Sequence, residues 1–265
     1  MIVGEIKKIV KRTSFKIVVI ILFLDVIIDF LLTCKSYYGS ELTWVRSAHL
    51  CTILNNDVSN FTAMMFSTLL SIVACMIASD IYYEEEDMGL TNMIYTRRKK
   101  GEDIKGKLIA ISLTVFMVVF LALMLNYVLA CITFPKQGNY CENATYLTLS
   151  DWETNRIFAY LRMYHPYLNL FVFVLIRCLA ATAFAVLSFA FSLCYKKNRY
   201  VVLLFSMIYY VVYSNIIAVI PLKVVHGSVL GVNGYGSPWM IMFFFVVTYG
   251  ISACMIWRGV RKENY

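Results

Sequence analysis

Apolar runs of about 20 residues recur along this chain, and charged segments separate them. A run of that length matches the hydrocarbon thickness of a bilayer. Inside hydrocarbon every backbone N–H and C=O must bond within its own segment, so each run has to be a helix. The pattern predicts six spans, at roughly 14–34, 61–82, 108–134, 166–194, 199–220 and 238–257. Ahead of them, Ile2, Val3, Ile6, Ile9 and Val10 alternate with Glu5, Lys7, Lys8, Lys11 and Arg12. The three- and four-residue spacing predicts a short basic amphipathic helix over 1–13, lying on the membrane surface. The expected fold class is an all-α integral membrane protein forming a single transmembrane domain over 1–265. A cleaved signal peptide is not expected, because the first apolar run is too long and carries acids.

Charge then sets the orientation. The chain carries 24 Lys/Arg and a formal net charge of +8. The segments 1–13, 83–107, 195–198 and the tail hold seventeen of these, counting the span-edge residues Lys16 and Arg199. The segments 35–60, 135–165 and 221–237 hold six, and Arg177 falls inside a span. That bias places both termini in the cytoplasm of a multi-pass membrane protein. It also explains the excess positive charge without nucleic acid, which is not an expected partner.

Signatures of chemistry on the chain itself are weak. The eight cysteines form no Cys-x-x-Cys motif, and His49, His165 and His226 are widely spaced. Cys34, Cys51 and Cys141 fall in or beside the outer segments, where a disulfide between two of them or free thiols are both open. Asn60 and Asn143 begin glycosylation-type tripeptides on the expected outer side. The stretch from Gly101 to Leu108 is similar to a phosphate-binding loop. Its last position is Leu108, which offers no hydroxyl to magnesium, and Glu102 and Asp103 would repel phosphate. No catalytic residue and no metal site is expected, so any ATP hydrolysis belongs to another chain.

Asp25, Asp29 and Arg177 are the ionisable groups expected inside the membrane, with Asp80 at its inner edge. Asp25 and Asp29 are one helical turn apart and share a face. A charge buried singly costs at least about 2.5–3.5 kcal/mol, so these groups are expected to pair or to face water. Three arrangements stay open: an Asp–Arg latch between spans one and four, a polar wall of a translocation path, and a carboxylate pair relaying protons.

The segment from Asp80 to Lys107 holds seven of the sixteen acids and six of the Lys/Arg. Its order is the acids Glu84, Glu85, Glu86 and Asp87, then Met88, Gly89 and Leu90, then Met93, Ile94 and Thr96. The basic Arg97, Arg98, Lys99 and Lys100 follow, and Gly106 and Lys107 open the third span. This order resembles the coupling region of ABC-2-type transporter permeases, and the six-span layout with a leading amphipathic helix is similar to that family over essentially the whole chain. The chain departs from the family pattern in having Arg97 where proline is common, and in a slightly shorter helix.

The resemblance implies the membrane-spanning subunit of an ATP-driven exporter in a bacterial plasma membrane, with a cytoplasmic coupling helix in 83–107. It implies two ABC ATPase subunits per complex, which would carry the ATP and magnesium, and a second membrane subunit as a homodimer or paralogous heterodimer. Glu84 to Leu90, Met93, Ile94, Arg97 and Arg98 would then meet the ATPase, with membrane lipid as a further partner of the basic run. Short outer loops and aromatic-rich spans suggest a hydrophobic or amphipathic cargo: a peptide, lantibiotic, toxin or drug. The alternatives are a non-transporting sensor or immunity partner, and an ion-coupled carrier using Asp25, Asp29 and Arg177.

Overall fold

The computed structural model describes residues 2–41, 44–55, 60–87, 89, 100–136, 157–195, 199–219, 232 and 238–261. Over these the chain is helical, with no strand among the described residues. The helices are α1 (Ile2–Lys11), α2 (Thr13–Tyr37), α3 (Asn60–Asp87), α4 (Lys100–Thr133), α5 (Ala159–Tyr164), α6 (Pro166–Cys194), α7 (Arg199–Val219) and α8 (Trp239–Arg261), with a 3-10 turn at Ala48–Leu50. Of the expected spans, residues 14–34, 61–82, 108–133, 166–194, 199–219 and 239–257 are helical. Among the described residues, four helices are long and apolar enough to cross a membrane: α2, α4, α6 and α8. The apolar stretches of α3 and α7, Phe61–Ile77 and Tyr200–Tyr213, are shorter.

The surface is apolar where a soluble protein would be polar. Ile20, Leu24, Leu31, Val246 and Phe243 are all more than half exposed, a lining suited to lipid. On α2 the buried set is Val18, Leu22, Val26, Asp29 and Thr33. Its spacing of three and four makes one stripe, turned toward α3 and α4, on which α2 packs. Helix α6 is the hub, packed on α3, α4, α5, α7 and α8. Its buried face is rich in small residues, among them Ala180, Ala181, Ala183, Ala185 and Ala190. Such residues let backbones approach closely, which is how helices associate where lipid removes the hydrophobic drive between them. At Gly259 of α8 an added Cβ would lie 2.9 Å from Leu193 Cβ, so this crossing requires glycine.

Side-chain contacts fix the relative directions. The last third of α2 meets the first turn of α3 through Asp29 and Thr62, and the last third of α4 through Asn126. The stacked rings of Phe191 and Phe205 join the end of α6 to the start of α7. Tyr209 and Thr248 join the middles of α7 and α8. Consecutive long helices therefore alternate in direction.

Helix formation continues into the charged segment from both sides. Helix α3 runs on through Glu84, Glu85, Glu86 and Asp87, and α4 starts at Lys100 rather than near 108. The expected platform over 83–107 is thus flanked by two helical extensions, and only 88–99 separates them. Glutamate is a good helix former, and Glu102 and Asp103 occupy the first turn of α4, where carboxylates suit the helix dipole. At 34 residues α4 is about 50 Å long and outreaches a hydrocarbon core of about 30 Å. Helix α1 packs on α2 and on α4, bringing Ile9 into the same apolar core as Ile104.

Candidate functional site

Two sets of buried polar groups lie at the same end of the bundle, and they differ in how fully they are satisfied. The first is built around Asp29, which is fully buried. Thr62 Oγ1 donates to Asp29 Oδ1 at 2.5 Å, and Asn126 Nδ2 lies 3.5 Å from Asp29 Oδ2. The same amide lies 3.4 Å from the Val26 carbonyl, and Asn126 Oδ1 accepts the Ile53 N–H at 2.9 Å. One asparagine therefore joins α2, α4 and the segment after the 3-10 turn. Asp25, one turn earlier on α2, is half-buried, and its Oδ2 is buried without a hydrogen-bond partner.

The second set surrounds Arg177, which is 5% exposed on α6. It hydrogen-bonds the Tyr210 hydroxyl of α7, and its Nε has no partner. Among the described residues no carboxylate pairs with it. The latch expected between spans one and four is not formed: α2 packs on α3 and α4, while Arg177 looks to α7. The structure thus brings Asp25 and Asp29 together on one helix and leaves Arg177 apart from both. Thr62, Asn126 and Tyr210 are the partners that sequence reasoning missed. Asn126, an amide inside an apolar run, was the signal available for one of them.

Above the Asp29 set, the Ala48–Leu50 turn is held by Ala48 N–H donating to the Pro135 carbonyl at 2.9 Å. His49 within it is buried, 3.0 Å through Nδ1 from Ser47 Oγ and edge-on to the Tyr167 ring. Burial and the nearby Arg162 push its pKa down to about 4, so the ring is neutral near pH 7. Cys34, Cys51 and Cys131 share a small apolar cluster with Ala130 and Phe134 at this end. No disulfide joins any two of the three, and Cys141 lies outside the described residues.

At the opposite end, Lys107 Nζ lies 2.6 Å from Asp103 Oδ2, one turn apart on α4, with both side chains buried. Lys107, which opens the expected third span, is half of this buried ion pair. Glu84 to Asp87 form the last turn of α3. Gly89 follows in an exposed turn with φ of +65°, a left-handed conformation that costs another residue about 1–2 kcal/mol. Met88, Leu90, Met93, Ile94, Arg97 and Arg98 lie outside the described residues. No protein-family model matches the chain, and no curated protein or solved structure shows detectable similarity to it.

Proposed function

We propose that the chain is the membrane-spanning permease subunit of an ATP-driven exporter of the ABC-2 type. In this reading two membrane subunits associate with two separate ATPase subunits in a bacterial plasma membrane, and both termini are cytoplasmic. The six long helices all cross the bilayer. The observation that carries the reading is the join between α3 and α4. Helix α3 ends on four consecutive acids, Gly89 breaks it in a left-handed turn, and α4 restarts at the end of the basic run. Two long helices extended beyond the apolar zone would transmit a push on this join into the membrane.

The apolar Met88, Leu90, Met93 and Ile94 would fill a groove on the ATPase, with Glu84 to Asp87, Arg97 and Arg98 at its rim. The cargo would be hydrophobic or amphipathic. Closure of the ATPase pair on ATP would move the joins and alternately open the path between membrane subunits.

Charge reversal at the rim tests this. In the complex, Glu85→Lys combined with Glu86→Lys should leave ATP hydrolysis near its basal rate while transport falls by about tenfold or more, because opposed like charges oppose docking. Transport into inverted vesicles and phosphate release are measured side by side. Unchanged coupling, or purification with no stoichiometric ATPase, would count against the exporter.

A further inference from the structure

Several buried polar atoms on α6 and α7 lack a protein partner. Asn169 Oδ1, Arg177 Nε and the Tyr213 hydroxyl are all of this kind. Tyr213 lies one turn beyond Tyr210 on α7. Tyr210 packs edge-on against Phe184, and Tyr213 against Phe244, which itself meets Phe184, so both tyrosines stand beside the α6 turn inward of Arg177. Arg177, which meets Tyr210, sets a fixed positive charge beside them.

The surroundings of that charge are apolar. Phe173 and Phe184, at four residues before and seven after Arg177, share its face of α6 and are fully buried. A guanidinium cannot shed its proton, and a buried charge without a counter-ion opposes folding. In membrane helices such a group marks a ligand path by default. Its unfilled Nε–H and a neighbouring Nη–H form a fork that fits both oxygens of one carboxylate.

We propose that Arg177, Tyr210 and Tyr213 form a binding site for the carboxylate of an amphipathic ligand. The site deepens the exporter reading and rests on it in one respect, that the ligand would be the cargo. A fatty acid and the free C-terminus of an apolar peptide present the same group.

The test uses the purified chain alone, in nanodiscs of zwitterionic lipid, with thermal unfolding as the readout. The probes are dodecanoic acid against its methyl ester, and a short apolar peptide with a free C-terminus against its amidated form. In the unaltered protein the acids should raise Tm and bind about tenfold or more tighter than their neutral forms, since charge-assisted bidentate bonds are lost with the charge. The acid that binds tighter identifies the source. Arg177→Gln should abolish the preference, Arg177→Lys should retain part of it, and Tyr213→Phe should weaken it severalfold.

Equal binding of acid and neutral forms, or a preference that survives Arg177→Gln, overturns the proposal. If Arg177→Gln does not fold, an unchanged preference in Tyr213→Phe does so. No ATPase is present, so failure here leaves the exporter reading standing. A failure to find an ATPase partner would remove the word cargo and keep the site.

Discussion

Asp29 on α2 and Arg177 on α6 lie about 12 and about 16 Å from the same end of the bundle, and both are buried. The fold treats them in opposite ways. Asp29 receives the Thr62 hydroxyl from α3 and the Asn126 amide from α4. Arg177 has the Tyr210 oxygen and an Nε without a partner. A charge served from several helices fastens those helices together, because separating them strands every group in hydrocarbon. A charge left short of partners fastens little and is retained against its own desolvation, which points to a task other than holding the bundle.

The contrast can be broken by substitution. The largest effect is expected at Asn126. Asn126→Leu strands the Ile53 N–H and removes a donor from Asp29, and it should cost about 3 kcal/mol, read as a fall in the thermal midpoint in detergent. Next comes His49, in the segment that Asn126 holds down. Its folded pKa of about 4 lies below the ordinary 6.5, so between those values the unfolded chain binds more protons. The stability owed to the neutral ring is complete above pH 6.5 and is lost as the pH falls through 4, by about 2–3 kcal/mol in all. Midpoints measured from pH 7.5 to 4 should show that fall, and His49→Asn should flatten it.

Thr62→Val removes one hydrogen bond to a carboxylate and should cost about 2 kcal/mol. Arg177→Met should have the smallest effect on stability, within about 1 kcal/mol and in the stabilising direction, since it replaces an unpaired buried charge by an apolar chain of similar length. A large loss there would make Arg177 a fastener like Asp29 and dissolve the comparison. A stable variant that no longer transports would sharpen it.

Much of the fold was legible in the residues. The six apolar runs each became a helix, and the α6 boundaries match the expected 166–194 because Pro166 opens the helix and the apolar run gives way to Lys196 and Lys197 just past its end. The helical extensions at the charged join were less legible. Hydropathy marks where a helix leaves hydrocarbon, whereas helix formation continues for as long as Glu84 to Asp87 and Lys100 to Lys107 favour it. Within the site, Asp25, Asp29 and Arg177 stood out by charge alone. Their partners did not, because a threonine at the start of α3 and a tyrosine on α7 are ordinary in membrane helices.

The sequence by itself determined that this chain is helical and built for a membrane, since long apolar runs leave the backbone no other way to satisfy its hydrogen bonds. It also determined which side chains would be costly to bury. Only the tertiary structure decided which of those costs are met. Whether Asp29 faces Thr62 and Asn126, or Arg177 faces a carboxylate, depends on which helices are neighbours and how each is rotated. Small residues such as Ala181 and Gly259 settle that by the close approach they permit, and the spacing of charges along the chain carries no record of it.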